Sequence, residues 1–254
     1  MVHICTPDFS ATCGRVGCTF GPWAGGDVFG EPVPLKVTRF RLDPGAHVDR
    51  IRLGGTEAMI YVIAGSGAAL AAPDDGESFA LGPESVLWLS ACDELTTDAG
   101  ADGLDLMVAQ TTGSAPEGGF APLRKVFAAA ELPHLVSTRD TRDRLDLVTE
   151  NVPVGARAIR ADRIIYHPGD TAAAHYHTDC HHVFCVLSGS GLLYDGEHAH
   201  RLEAGDSALV GPGEVHWFEN DTGENFSFVE FWAPPPTETI WTVTGDRCTW
   251  APAG

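Results

Sequence analysis

Eight of the eleven histidines in this chain fall between positions 167 and 216: His167, His175, His177, His181, His182, His198, His200 and His216. Even scatter would place about two there. His175 and His177 are two residues apart, so on a strand they point to one face. His182 opens the next apolar strand across a short turn, and His216 follows a Gly-Pro-Gly turn at the end of another. Two imidazoles from one strand and two from facing strands can meet at one point inside a barrel. Neutral imidazole is the commonest metal ligand. Any one of these histidines alone would read as a surface or core-edge residue; the set does not. His181 must point away from His182 on an extended strand, and His182 has the inward register. His198 and His200 sit in the polar segment DGEHAHR, which reads as a solvated hairpin tip. His167 precedes Pro168 and reads as a strand end.

Proton-transfer partners would have to lie in the same interior. Tyr194, on the strand after Gly189, and Glu230, a lone carboxylate in the apolar run FSFVEFW, are the candidates. Burying a carboxylate without a partner is costly, which favours a role for Glu230 if it faces inward. Phe184, Val186 and Phe218 share inward parity with His182 and His216, so they are expected to form the apolar wall of a substrate pocket. Trp217 and Cys185 have the opposite parity and are expected outside.

The elements that must hold these groups come from an internal repeat. Segment 39–67 contains Pro-Gly, an apolar run and Gly-Ser-Gly, and segment 163–191 does the same. Gly45 to Gly65 and Gly169 to Gly189 are both 20 residues apart, with 124 residues between copies. FALGPESVLWL (79–89) mirrors RLEAGDSALVG (201–211) at an offset of 123. Short apolar segments such as MIYVIAG, SVLWLS, VFCVLSG, SALVG and FSFVEFW are punctuated by Gly, Pro and Asp, the pattern of a sandwich or small barrel. The expected organisation is an all-β chain with an N-terminal unit over 1–115, a linker over 116–135 and a C-terminal unit over 136–254. The segment APLRKVFAAAELPHL (121–135) is the best helix candidate, and 239–243 is expected to add a strand.

Composition narrows the partners. Lys+Arg 16 against Asp+Glu 35 gives a formal charge of −19, which repels nucleic acid and anionic membranes. No run approaches the roughly 18–20 apolar residues that span a bilayer. MVHICTPDFS lacks the pattern of a secretory signal, so a cytoplasmic setting is expected, with most of the seven cysteines reduced. Cys5, Cys13 and Cys18 lack the CxxC pairing of zinc sites.

Against this background the second repeat resembles a cupin domain. Gly169 is followed after five residues by His175-x-His177, after four more by His182 and after six by Gly189. Gly205 is followed after five residues by Gly211-Pro212-Gly213, after two by His216 and after three by Asn220. The family pattern has glutamate where this chain has His182. The resemblance covers roughly residues 35–110 and 155–234 and implies two jelly-roll barrels. It makes His175, His177, His182 and His216 the ligands of one divalent transition metal (Fe, Ni, Mn, Cu or Zn). In the first repeat the corresponding positions are Ile51, Leu53, Ala58 and Asp93, which cannot hold a metal; His47 and Glu57 are off register.

A four-histidine site leaves the charge of the ion uncompensated and two coordination positions open. It would chelate a small oxygen-rich molecule, or one substrate atom together with dioxygen. The resemblance thus implies an O2-using dioxygenase, with a redox-neutral isomerase, cyclase or lyase as the alternative. A non-catalytic binding protein fits less well with a retained ligand set. Exposed barrel edges and the tail would permit a homodimer.

Overall fold

A computed structural model describes residues 2–12, 17–72, 78–112, 123–149, 151, 158–196 and 198–254. They are strands joined by turns, with one four-residue helix (Gly26–Phe29) and one 3-10 turn (Ala129–Glu131) among the described residues. No helix among them is long and apolar enough to cross a membrane. Two compact units emerge: Pro7–Leu132, and Met1–Thr6 with Pro133–Gly254.

These boundaries depart from the expected ones in two ways. His3–Cys5 pairs antiparallel with Ser207–Val210, so the first residues extend the sheet of the C-terminal unit. The expected linker helix is absent: Leu123–Phe127 is a strand paired with Val86–Ser90, and only the Ala129–Glu131 turn remains helical. Cross-strand pairing overrides a weak helical pattern here. Residues 113–122 of the linker lie outside the described residues. Cys5, Cys92, Cys180, Cys185 and Cys248 remain thiols, whereas Cys18 is disulfide-bonded. Cys13 lies outside the described residues.

In the unit Pro7–Leu132, two long ribbons, His47–Ala72 and Val86–Thr111, pair along most of their length. Ala58 pairs with both Leu89 and Gln110, so the ribbons wrap and close a barrel-like core. Ile51, Leu53, Ala58, Ile60, Leu87, Leu89, Leu106 and Val108 fill it. Gly65 shows why the repeat requires glycine: its φ is +79°, and a Cβ there would lie 2.2 Å from the Gly103 carbonyl oxygen.

The C-terminal unit is a sandwich. Its eight-stranded sheet runs in the order His3–Cys5, Ser207–Val210, His181–Ser188, Phe226–Ala233, Arg160–Tyr166, Asp143–Val148, His134–Ser137, Trp250–Pro252. Facing it are Ala199–Glu203, Ser190–Tyr194 and Trp217–Glu219, and a small pair formed by His175–Tyr176 with Ile240–Trp241. Side chains from both layers make one core: Ile164, Tyr166, Phe184, Val186, Leu193, Leu202, Phe218, Phe226 and Phe228. Val183, Cys185, Leu209, Val229 and Phe231, on the other face of the large sheet, are equally buried. Cys185 therefore has the expected outward parity without being exposed. The tail does form the anticipated strand, at Ile240–Trp241.

Candidate metal centre

Turn chemistry places the histidines. Asp170 accepts hydrogen bonds from the His167 and Thr141 backbone N–H groups, which fixes the turn leading into His175. His175 and His216 form an antiparallel bridge, each N–H donating to the other's carbonyl (3.1 and 2.8 Å), so their side chains share a face. The Gly211–Glu214 turn is held by Gly211 N–H on the Glu214 carboxylate (2.9 Å) and by Gly213 N–H on the His177 carbonyl (2.6 Å). Asn220 closes the motif. Its buried amide donates to the Tyr166 and Glu224 carbonyls (3.0 and 2.7 Å), while its oxygen accepts from Thr222.

Three imidazoles converge. Potential ligand atoms of His175, His177 and His216 all lie within 4.8 Å of one another. In each ring Nδ1 faces a backbone carbonyl: Ala173 (2.9 Å) for His175, Glu238 (3.1 Å) for His177 and Glu214 (3.0 Å) for His216. A carbonyl only accepts, so each Nδ1 carries the proton and each Nε2 presents a lone pair. His177 Nε2 is buried with no hydrogen-bond partner, a group that a metal ion would satisfy. Burial pushes His175 down to about 4 and His177 below its ordinary value. Burial together with neighbouring imidazoles holds His216 well below its ordinary value. Neutral rings are the form that ligates.

His182, the fourth ligand of the expected set, adjoins this trio, with ring centroids 5.3 Å from His177 and 5.1 Å from His216, but is not in the group whose ligand atoms all lie within 4.8 Å. Its Nδ1 meets His216 Nε2 (3.1 Å) and its Nε2 meets the Glu230 carboxyl (3.1 Å). With the His216 proton already on Nδ1, His182 donates from its own Nδ1 to the His216 Nε2 lone pair, and its Nε2 then accepts from Glu230; a metal on His216 would take that lone pair and break this hydrogen bond. Accepting from Glu230 requires a protonated carboxyl. Burial, reinforced by Asp162 across the strand pair, raises Glu230 well above the usual range. Glu230 thus faces inward, with an imidazole as its partner.

These groups line a cavity of about 180 Å³. Phe218, Trp232, Trp241 and Trp250 supply apolar wall; Trp232 stacks on His182, and Trp241 lies 5.2 Å from His175. Phe184 and Val186 do not reach the cavity. They lie in the core, where Phe184 supports the His182 ring at 4.1 Å. Tyr194 is not part of the site either: its hydroxyl donates to Glu219 (2.9 Å) and its ring stacks on half-buried Trp217. His198 and His200 pair with Asp195 at the hairpin.

Sequence reasoning missed several lining residues. Arg142, Arg144 and Arg160 face the cavity, as do Cys248 and the tail residues Pro236 and Thr239. Nothing in the residue pattern marked the arginines: Arg142 precedes the strand Asp143–Val148 that carries Arg144, and Arg160 opens the neighbouring strand.

In the unit Pro7–Leu132, Ile51, Leu53 and Ala58 are buried in the core and Asp93 is exposed. His47 has both ring nitrogens on carboxylates, Asp98 and Asp49, each at 2.6 Å.

Residues 162–232 match the cupin domain family. No curated protein matches the sequence. Among solved structures, a tryptophan-to-tyrosine variant of Bacillus subtilis oxalate decarboxylase superposes with a TM-score of 0.74 at 16% identity, covering 94% of this chain and 79% of that one. The Bacillus subtilis enzyme at pH 4.6 gives 0.72 at 15% identity, covering 94% and 78%. Such identities establish the fold and nothing finer. The cupin resemblance carried by the two histidine motifs therefore holds for residues 162–232 as a domain match and for the chain as an all-β cupin fold.

Proposed function

We propose that the chain is a mononuclear metal enzyme that acts on a small oxygen-rich molecule in the cavity of its C-terminal unit. The observation that carries this reading is the trio of Nε2 lone pairs of His175, His177 and His216, each set by a backbone carbonyl, at one wall of a cavity. Those three residues would hold the ion, with His182 beside it. A bound divalent metal would supply Lewis acidity at open coordination positions, polarising a chelated oxygen. The remaining chemistry belongs to this chain. Glu230 and His182, 3.1 Å apart at the cavity wall, form a pair able to exchange a proton with substrate. Trp232, Trp241 and Trp250 give the substrate an apolar wall to pack on.

That proton-carrying pair favours redox-neutral chemistry of the isomerase, cyclase or lyase kind. Oxalate decarboxylase, the fold neighbour, is by name a lyase on a small acid. Dioxygenase chemistry is the second reading, supported by the open positions that a three-histidine site leaves for substrate and dioxygen. Metal content by mass spectrometry, followed by turnover of diketones, hydroxyketones, catechols and carboxylates with and without O2, separates them. The expected result is one divalent metal per chain and turnover that does not consume O2. Coupled O2 consumption would select the dioxygenase reading, and a chain that takes up no metal would defeat both. Glu230→Gln should lower turnover by about 10²–10⁴-fold with metal content unchanged.

A further inference from the structure

Three guanidinium groups in a cavity this small call for an account of their donors. Arg142 has all three of its nitrogens engaged by the protein. Its Nε donates to Asp140, its Nη1 to the Tyr166 hydroxyl (3.1 Å), and its Nη2 to Ser137 and to the Cys248 sulfur. It is a structural strut. The other two differ. Arg144 donates from Nε to Asp146 (2.7 Å), and its two terminal nitrogens make no hydrogen bond among the described residues. Arg160 donates from Nη2 to Asp162 (3.2 Å); its Nε is buried without a partner, and its Nη1 makes no hydrogen bond among the described residues. Each of these arginines has a carboxylate on one edge and leaves donors over beside the cavity. Each packs over an aromatic ring: Arg144 lies over Trp250 (5.1 Å) and Arg160 over Trp232 (4.8 Å). Glu230 does not use them, since its hydrogen bond goes to His182.

Guanidinium edges in an aromatic-walled cavity match the planar acceptor pair of a carboxylate. We infer that Arg144 and Arg160 anchor a carboxylate of the substrate, which is therefore a small acid bearing a second, metal-chelating oxygen group. This rests on the reading of the cavity as a metal site, and the cavity limits the size. About 180 Å³ is close to the ~150 Å³ space that accommodates a benzene ring. An acid with the bulk of a single ring or a short carbon chain fills that space.

The test is calorimetric binding of malonate and of its uncharged analogue malonamide to the metal-loaded full chain. Wild type should bind malonate more tightly than malonamide. Arg144→Met and Arg160→Met should each weaken malonate by about 10- to 100-fold, the loss of a charge-assisted hydrogen-bond pair, and leave malonamide and metal content unchanged. Arg144→Lys and Arg160→Lys keep a cation beside Asp146 and Asp162 while removing the fork. They serve if the methionine variants do not fold, with a smaller loss expected. Unchanged malonate affinity in the folded variants overturns the anchor, as does a wild type that binds neither probe. Should wild type hold no metal, the metal reading fails on its own. Arginine-dependent malonate binding to that chain would still support the anchor, and arginine-independent binding would overturn it.

Discussion

Hydrogen bonds divide the four cavity imidazoles three to one. His175, His177 and His216 each lend Nδ1–H to a backbone carbonyl, whereas His182 bonds two side chains. His177→Ala should therefore abolish metal binding, while His182→Phe should keep the ion and lose turnover; metal analysis of the two purified variants decides. Metal loss in both would restore His182 as a fourth ligand. The trio was legible because a spacing of two on a strand fixes the face, and Gly-Pro-Gly fixes the turn before His216. The ring orientation of His182 was not, because Glu230 and His216 set it from other strands. Tyr194 was assigned to the wrong face: Leu193, paired with Phe218, points into the core, and Tyr194, paired with Trp217, points away from it. The arginines were illegible because charges on a strand are ordinarily expected in water. His47 offers a separate test in the other unit. Hydrogen bonds to Asp98 and then Asp49 raise its pKa above 6.5. A raised folded value means that its stabilisation is complete below about pH 6.5 and is lost as pH rises through the folded value. His47→Gln should cost up to about 1 kcal/mol at pH 6 and nothing at pH 9, read from paired thermal melts.

At the level of elements, two features carry the site. The first is the Gly-Ser-Gly corner. Gly189 has φ +73°, and a Cβ there would lie 2.0 Å from the Asn225 backbone oxygen. Gly189→Ala combines left-handed strain with a clash against backbone that cannot step aside. It should cost about 1–3 kcal/mol or more, measured by urea unfolding. The matching corner at Gly65 explains why the repeat could be read from glycine spacing alone: both corners face a carbonyl. The second feature is the C-terminal strap. Ile240–Trp241 pairs with His175–Tyr176, the Glu238 carbonyl fixes the His177 proton, and Pro236, Thr239, Trp241, Cys248 and Trp250 wall the cavity. A strand was expected there, but its role was not, because a backbone carbonyl has no sequence signature. A chain ending at residue 237, which lacks the Glu238 carbonyl, should lose about 10- to 100-fold in metal affinity, the usual cost of removing support behind a ligand, as measured by competition with a chelating dye. Unchanged affinity would show that the strap only covers the site.

For the whole molecule, the two units share an ancestral-looking frame and differ in what fills it. Where one has converging imidazoles, the other has Ile51, Leu53 and Ala58 in its core. Metal binding should therefore saturate at one ion per chain. The formal charge of −19 complicates that measurement, since an acidic surface gathers divalent cations without a site. Salt separates the two. Diffuse association is screened once the Debye length falls to about 8 Å at 0.15 M, whereas a buried trio of neutral nitrogens owes its affinity to ligation and not to surface charge. A titration at 0.15 M salt should give a stoichiometry of one, and higher apparent values at low salt should collapse to it. The same ion should raise the melting temperature, because it binds only the folded chain. At 100 times its dissociation constant it contributes about 2.7 kcal/mol. His177→Ala should remove that shift entirely while leaving the low-salt surface binding in place. A stoichiometry of two that persisted in high salt would mean that the N-terminal unit binds metal through residues other than those that align with the histidines.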